Sequence, residues 1–200
     1  YKKTLKMVNH LIPLTPEEIN QCKDFANKSS PTQREHRSGG QIIRSVKQIY
    51  DSTFRGKMGE IMVKKFLEKE FNIKNIVLNF NIYPRGKWDS TDININKTKI
   101  SIKTSKHFSN WLLLESKDIN RGDIYDYYIL VLVDKDLKSG KIKGFVRKNE
   151  IIQPAEKTLL LKQDNFIPNT QTPLDADNHA RHIENLHNSA KEWGELVNSL

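Results

Sequence analysis

The chain has 200 residues, which suits one domain of ordinary size and is short for two. Lys and Arg outnumber Asp and Glu by 33 to 24, so the formal net charge is +9 and the pI is near 9.5. This excess indicates a polyanionic partner or, alternatively, a lysine-rich codon habit. Eight Phe, six Tyr and three Trp exclude a disordered chain, and the single cysteine, Cys22, excludes an internal disulfide framework and a multi-cysteine zinc site.

The N-terminal quarter is predicted to be helical. Thr15-Pro16-Glu17-Glu18 combines a capping threonine, a first-turn proline and a capping-box glutamate, which predicts a helix start. Residues 29–40 are polar and predict a loop. Apolar residues at helical spacing predict a second helix over 42–50 and a third over 53–69.

The middle of the chain changes to the period of strands. We expect strands at 75–80, 127–133 and 142–147, with a turn at 84–86 and a short helix or loop at 150–152. Between 91 and 103 the apolar residues alternate around Asn96-Lys97, which predicts a hairpin turning there. The uninterrupted apolar run at 127–133 is typical of a central strand buried on both faces.

The tail from Asp175 shows apolar residues every three or four positions, which predicts a helix packed on the body or, alternatively, on a second subunit. The order of elements predicts an α+β fold with a mixed central sheet flanked by helices. We expect one domain over 1–200, with an N-terminal helical part (1–52), a core (53–150) and a C-terminal loop and helix (151–200). No apolar run approaches a membrane span and the sequence contains no signal peptide, so we expect a soluble cytoplasmic protein.

The hairpin carries the most informative side chains. Asp92 begins its first strand and Lys103 ends its second. The pair is offset by two residues from the pairing that a turn at Asn96-Lys97 sets. A small bulge would bring the two side chains opposite each other. Ser101 shares the face of Lys103, and the carbonyl of Ile102 lies between them. A carboxylate that holds Mg²⁺ beside a lysine that positions water is an arrangement that suits phosphodiester hydrolysis.

These residues resemble the PD-(D/E)XK nuclease superfamily, which includes most type II restriction endonucleases. The resemblance covers roughly residues 53–148 and includes the order of elements: a helix with Gly56-Lys57-Met58-Gly59-Glu60, a strand with Asp92, a strand ending at Lys103 and a buried strand. It implies a restriction-endonuclease-like core at 53–150 as the catalytic part, Mg²⁺ as cofactor, Asp92 as metal ligand and Lys103 as the residue that orients or activates water.

The sequence departs from this pattern at two positions. Thr91 replaces the proline before the aspartate, and Ser101 occupies the position of the second acid. The missing carboxylate would come from Glu60, which we favour as a catalytic and metal-binding residue, or from Glu115. Ile102 would assist through its carbonyl, and Ser101 through a water. If neither glutamate reaches the metal, the site would be weak or inactive.

The resemblance implies a Mg²⁺-dependent endodeoxyribonuclease that cleaves double-stranded DNA, with a homodimeric type II restriction enzyme as the favoured role. A repair or junction-resolving nuclease of the same fold and a non-catalytic DNA-binding protein are the alternatives. DNA contacts are expected from basic and amide side chains in loops and at strand ends: Arg34, Arg37, Arg85, Lys87, Lys106, His107 and Asn110.

Other motifs carry less. Gly39-Gly40 is not followed by the lysine of a phosphate-binding loop. His179 and His182 fall on one face of the expected tail helix, but no His-Glu-x-x-His motif supports a zinc site. Cys22 lies on the apolar face of the first helix and is expected in the core.

Overall fold

The computed structural model describes residues 10–35, 40–87, 91–122, 124–152 and 157–200. The helices are α1 (Pro16–Ser29), α2 (Val46–Phe71), α3 (Ser116–Asn120), α4 (Lys148–Ile152) and α5 (Ala190–Asn198). The strands are β1 (His10–Pro13), β2 (Ile93–Ile95), β3 (Thr98–Lys106), β4 (Trp111–Glu115), β5 (Tyr127–Val133), β6 (Ser139–Arg147), β7 (Thr158–Leu161) and β8 (Asn178–His182). Short 3-10 turns occur at Ser30–Thr32 and Ile183–Asn185.

The strands form two sheets, and the predicted α+β class with a mixed central sheet flanked by helices is confirmed. The main sheet has the order β1-β6-β5-β3-β2, in which only β3 and β5 are parallel. The second sheet has the antiparallel order β4-β8-β7. No helix in the described part of the chain has the length and apolar character needed to cross a bilayer.

Strand β5 is the centre of the molecule, at the bounds predicted from its apolar run. Ile129 and Val131 pack with residues of α1, α2 and α5, and we call this side of the main sheet its helix face. Tyr128 and Leu130 pack with residues of β4 and α3, and we call that side the second-sheet face. Both faces are covered by other elements, which is why the strand is continuously apolar.

The helix face closes around Phe66 of α2, which is fully buried. Its ring lies 4.3 Å from the ring of His10 and 4.8 Å from that of Trp193, measured between centroids. β1 near the start of the chain and α5 near its end therefore contact the same side chain.

The predicted hairpin is confirmed. β2 and β3 pair as Ile93 with Ile100 and Ile95 with Thr98, around a turn in which Asn96 and Lys97 have φ of 47° and 74°. Positive φ at both central residues is the signature of a type I′ turn, whose twist matches that of the flanking strands. The predicted capping box at the start of α1 is also confirmed, because Thr15 and Glu18 exchange side-chain hydrogen bonds with each other's backbone N–H.

The prediction of two separate helices over 42–50 and 53–69 is wrong, because a single helix, α2, covers 46–71 without a break. Ser45 and Gln48 form a capping box that starts the helix at Val46. Ile42 and Ile43 precede the helix and are 53% and 66% exposed. The helix is continuous across position 52, where the N-terminal part was expected to end.

The prediction of a strand over 75–80 is also wrong, because this stretch joins neither sheet. Asn75 has a left-handed φ of 64°, which breaks an extended run. The ammonium of Lys57 donates a hydrogen bond to the carbonyl of Asn79, so this carbonyl is bound to a side chain and not to a neighbouring strand. The predicted turn at 84–86 is confirmed by the hydrogen bond from Lys87 N to Pro84 O.

The predicted tail helix from Asp175 is a strand, a 3-10 turn and a shorter helix. β8 pairs with β4 and β7, and Ala180 is buried between neighbours of the second sheet. Ser189 and Glu192 form the capping box that starts α5 only at Ala190. The spacing of apolar residues was similar to that of a helix, but it also places Ala180 on the buried face of a strand.

A polar cluster around His187 joins α5 to the main sheet. Its Nε2 lies 2.8 Å from Glu150 and its Nδ1 lies 2.6 Å from Glu192. Arg181, which is 3% exposed, pairs with the same Glu150 at 3.1 Å. Burial alone would raise the pKa of Glu192, but hydrogen bonds from His187 and Ser189 outweigh it and lower that pKa to about 2.

Gly59 allows α2 to approach β3 closely, whereas Gly56 of the same helix faces open space. A Cβ on Gly59 would lie 2.1 Å from Cγ2 of Thr104, and a Cβ on Gly56 meets nothing within 4 Å. We expect Gly59→Ala to lower the free energy of unfolding by about 1–3 kcal/mol through overpacking. Gly56→Ala should raise it by about 0.5–1 kcal/mol. Urea denaturation of both variants tests this contrast, which equal shifts of the same sign would contradict.

Glu192 should make stability depend on pH in the acid range. Its folded pKa of about 2 lies below the ordinary value of 4.5, so its contribution is complete above pH 4.5 and is lost as the pH falls toward 2. Glu192→Gln, which mimics the protonated group, should destabilise the protein at pH 6. The difference in melting temperature between wild type and variant should decrease steadily below pH 4.5. Thermal unfolding across this range measures that difference, and a constant difference would contradict the low pKa of Glu192.

Candidate functional site

Asp92 is held against β3 by two hydrogen bonds. Its Oδ2 accepts the backbone N–H of Ile102 at 2.6 Å and the hydroxyl of Ser101 at 3.2 Å. β2 begins only at Ile93, so the carboxylate of Asp92, just before it, fills the edge of β3 that β2 does not pair with. Ser101 is 2% exposed and lies opposite Asp92 in the hairpin register.

The expected pairing of Asp92 with Lys103 across a bulge is wrong. The register of β2 and β3 runs without a shift, so Asp92 stands level with Ser101, and Lys103 lies two residues further along β3. The ion pairs among the described residues do not include one between Asp92 and Lys103. The side chains at 101 and 103 nevertheless share the second-sheet face, because strand residues alternate and their neighbours on β5 are Tyr128 and Leu130.

The oxygen atoms near Asp92 fit a hard cation such as Mg²⁺ in part. The N–H and C=O of a strand residue point to the same side, so the carbonyl of Ile102 is directed to the edge where Asp92 lies. Mg²⁺ is commonly held by one or two carboxylates, several waters and substrate phosphates. Within the described ranges no group of three His, Cys, Asp or Glu side chains is arranged to hold a metal. The residues therefore supply one carboxylate and one carbonyl.

Glu60, the favoured second acid, lies on the other side of the sheet from Lys103. Its neighbour Gly59 faces Ile102 and Thr104, which belong to the helix face of β3. Glu60 is 8% exposed, and its Oε2 lies 2.6 Å from the ammonium of Lys57. The structure thus brings Asp92, Ser101 and Ile102 into contact, and it holds Glu60 in a buried ion pair on α2.

Glu115, the alternative second acid, is half-buried at the end of β4 and precedes α3. It lines the same cleft as Lys103. Of the two candidate glutamates, Glu115 therefore lines the cleft together with Lys103, whereas Glu60 is paired with Lys57, another residue of the lining.

The cleft has a volume of about 700 Å³ and runs from α1 and α2, past the loop at 79–87, to the lysines of β3 and the region of α3. Among the described residues its lining includes two carboxylates, Glu115 and Asp118. The cations of the lining are Arg34, Arg44, Lys57, Lys87, Lys99, Lys103, Lys117 and Arg121. This strong excess of positive charge gives the cleft a potential suited to a polyanion.

The residues predicted to contact DNA fall in three places. Arg34 and Lys87 line the cleft, and Arg85 is exposed in the adjoining turn at 84–86. Lys106, the last residue of β3, and His107 and Asn110 just after it are exposed. Phe108 in the same stretch is 67% exposed and packs against the His107 ring. Arg37 lies outside the described residues.

Five cations of the lining were not predicted as DNA contacts from the sequence: Arg44, Lys57, Lys99, Lys117 and Arg121. Strand periodicity could have found Lys99, because positions 99, 101 and 103 share one face of β3. Lys117 lies on α3 and Arg121 caps its C-terminus, and no apolar pattern in the sequence predicts this short helix.

Comparisons of the chain with protein-family models, curated proteins and solved structures find no match.

Asp92 should stabilise the hairpin independently of any activity. Asp92→Ala leaves the N–H of Ile102 and the buried hydroxyl of Ser101 without their acceptor, which should lower the free energy of unfolding by about 1–3 kcal/mol. Asp92→Asn keeps one acceptor oxygen and should retain most of the stability. Urea denaturation measures the difference, with Asn94→Ala on the exposed part of β2 as the control. Wild-type stability in Asp92→Ala would contradict this role.

Proposed function

We propose that the protein is a Mg²⁺-dependent endodeoxyribonuclease that hydrolyses phosphodiester bonds of double-stranded DNA. The observation that carries the proposal is the hairpin arrangement: Ser101, in contact with Asp92, lies on β3 between Lys99 and Lys103, two lysines of the basic cleft. A carboxylate bound to the strand that carries two lysines of a cleft suited to polyanions is an arrangement that suits phosphodiester hydrolysis.

The order and direction of the elements support a restriction-endonuclease-like core. A long helix, α2, precedes the β2–β3 hairpin, and β3 is followed by a parallel buried strand, β5. This is the order on which the resemblance to the PD-(D/E)XK superfamily rests. In that interpretation Asp92 stands level with the position of the second acid, which is Ser101 here.

In the proposed site, Asp92 and the carbonyl of Ile102 would hold Mg²⁺, and Ser101 would contact it through a water. Bound Mg²⁺ supplies charge neutralisation at the phosphate and lowers the pKa of water. Lys103 would orient the attacking water and stabilise the negative charge that develops on the phosphate. The remaining lysines of the cleft would contact the DNA backbone, which fixes its position without reading its sequence.

The second acid is open between two glutamates that differ in their surroundings. Glu60 would have to exchange Lys57 for the metal, at the cost of leaving a buried ammonium unpaired. Glu115 lines the cleft together with Lys103. Activity of Glu60→Gln and Glu115→Gln separates them, because only the acid that serves the reaction should be required for cleavage.

Lys103→Ala should abolish cleavage and retain DNA binding, because the lysine acts on the reaction while several other cations hold the backbone. We expect a fall in the cleavage rate of roughly 100-fold or more. Binding of a fluorescent duplex in EDTA should change by a few-fold at most. Lys191→Ala, an exposed position on α5, is the matched control. Undiminished cleavage by Lys103→Ala would refute the mechanism.

A second candidate, a non-catalytic DNA-binding protein, is favoured by one observation. Ser101 replaces the second acid, and Asp92 already accepts two hydrogen bonds that stabilise the hairpin. Titration with Mg²⁺ discriminates the candidates, because a binding protein gives no metal-dependent cleavage at any concentration.

A homodimeric type II restriction enzyme acting in the cytoplasm is the role we favour within the nuclease class. Digestion of a sequenced phage genome with Mg²⁺, followed by mapping of the fragment ends, tests it. Ends at one fixed sequence identify a restriction enzyme, whereas ends at branched or damaged structures identify a junction-resolving or repair nuclease. Sedimentation of the protein alone and with duplex DNA tests the dimer.

A further inference from the structure

One end of the cleft carries several neutral hydrogen-bonding groups, and we call it the helix end. It is formed by Ser29 on α1, Gln33 just after it, and Asn81 and Tyr83 on the loop that follows α2. The wall between them is the Phe25 ring, over which the ammonium of Lys57 lies at 4.8 Å from the centroid.

The loop at the helix end is fixed by its own hydrogen bonds. Nδ2 of Asn79 donates to the hydroxyl of Tyr83 at 2.7 Å, and Oδ1 of Asn79 accepts the backbone N–H of Asn81 at 2.9 Å. The carbonyl of Asn79 accepts from Lys57 at 2.6 Å. Asn79 therefore fixes the backbone at 81 and the hydroxyl of Tyr83 before any ligand arrives.

Several polar groups at the helix end have unused hydrogen-bonding capacity. Within the described part of the chain the Asn81 amide makes no hydrogen bond, and Gln33 uses its amide nitrogen for Thr53, 3.0 Å away. The hydroxyl of Tyr83 accepts one hydrogen bond and still has its own proton to donate.

Ser29 supplies an independent sign that a ligand belongs here. It is 5% exposed, and its hydroxyl is the buried side-chain group of the described chain that has no hydrogen-bond partner. An orphan hydroxyl costs about 1–3 kcal/mol, so its retention in a cleft wall calls for a compensating role. A bound group with a polar edge would satisfy it.

We infer that the helix end reads a base edge of the bound DNA, with Asn81, Gln33 and Ser29 as specificity-determining residues. This inference rests on the proposed function and names the part of the cleft that discriminates sequence. Amide side chains match the paired donor and acceptor of a base edge, and a hydroxyl accepts or donates as required.

A phosphate is a poorer occupant of this end than a base. The charge of Lys57 is already balanced by Glu60 at 2.6 Å, and Ser29, Gln33, Asn81 and Tyr83 are neutral. The cations that could take phosphates, Arg34, Arg44 and Lys87, are the other members of the lining nearby. Phosphate contacts at these cations would set the register of the duplex and bring one base pair to the amides.

The test is a selection from a library of 30-base-pair duplexes with a randomised centre, bound in EDTA to prevent metal-dependent cleavage. Wild type, Ser29→Ala and Asn81→Ala are compared by sequencing the retained DNA, with Asn198→Ala on α5 as the matched control. The melting temperature of each variant is measured by thermal unfolding, to show that it is folded. Ser29→Ala should keep its melting temperature, because it removes an unpartnered hydroxyl, and Asn81 is exposed.

The expected result is a motif enriched by wild type and by the control, with the preference at one or more positions reduced about tenfold in both cleft variants. Retention of the full wild-type motif by folded Ser29→Ala and Asn81→Ala would overturn the inference and leave the nuclease proposal intact. DNA retained by wild type with no enriched motif would also overturn the inference. A wild-type protein that retains no DNA at all would overturn the proposed function itself.

Discussion

Strand β3 decides which side chains of the molecule can act together, because its residues alternate between two faces that different elements cover. Ile100 and Ile102 point to the helix face and pack with α2. Ser101 and Lys103 point to the second-sheet face, next to Tyr128 and Leu130 of β5. The parallel pairing with β5 fixes this alternation, since a slip of one residue would bury lysines in the helix-side core. The basic cleft depends on that register.

In the proposed function, the carboxylate of Asp92 would have both a structural and a chemical role. One oxygen completes the hydrogen bonding of β3 where β2 does not pair with it, and this fixes the carboxylate beside the Ile102 carbonyl. The hydrogen bonds that hold the group also limit its freedom to move toward a ligand. A metal at this edge would accordingly be bound by atoms that are already in position, with little reorganisation.

Local chemistry made several elements predictable from the sequence, while long-range pairing hid others. The apolar run of β5, the Asn96-Lys97 turn and the capping box at Thr15 are short-range signals, and each was confirmed. β8 was read as helix because its apolar spacing fits both periods, and only its pairing with β4 makes it a strand. Which residue of β3 lies opposite Asp92 depends on whether the hairpin contains a bulge, and the sequence does not show this. Burial of Glu60 against Lys57 likewise arises from tertiary packing.

The contacts of Phe66 join two segments that are far apart in the sequence. The rings of His10 and Trp193 both pack against the Phe66 side chain of α2. During synthesis, the core on the helix face therefore remains open until α5 has left the ribosome, although α2 and the hairpin are complete long before. α5 therefore completes the helix face of the core after α2 and the hairpin have been synthesised.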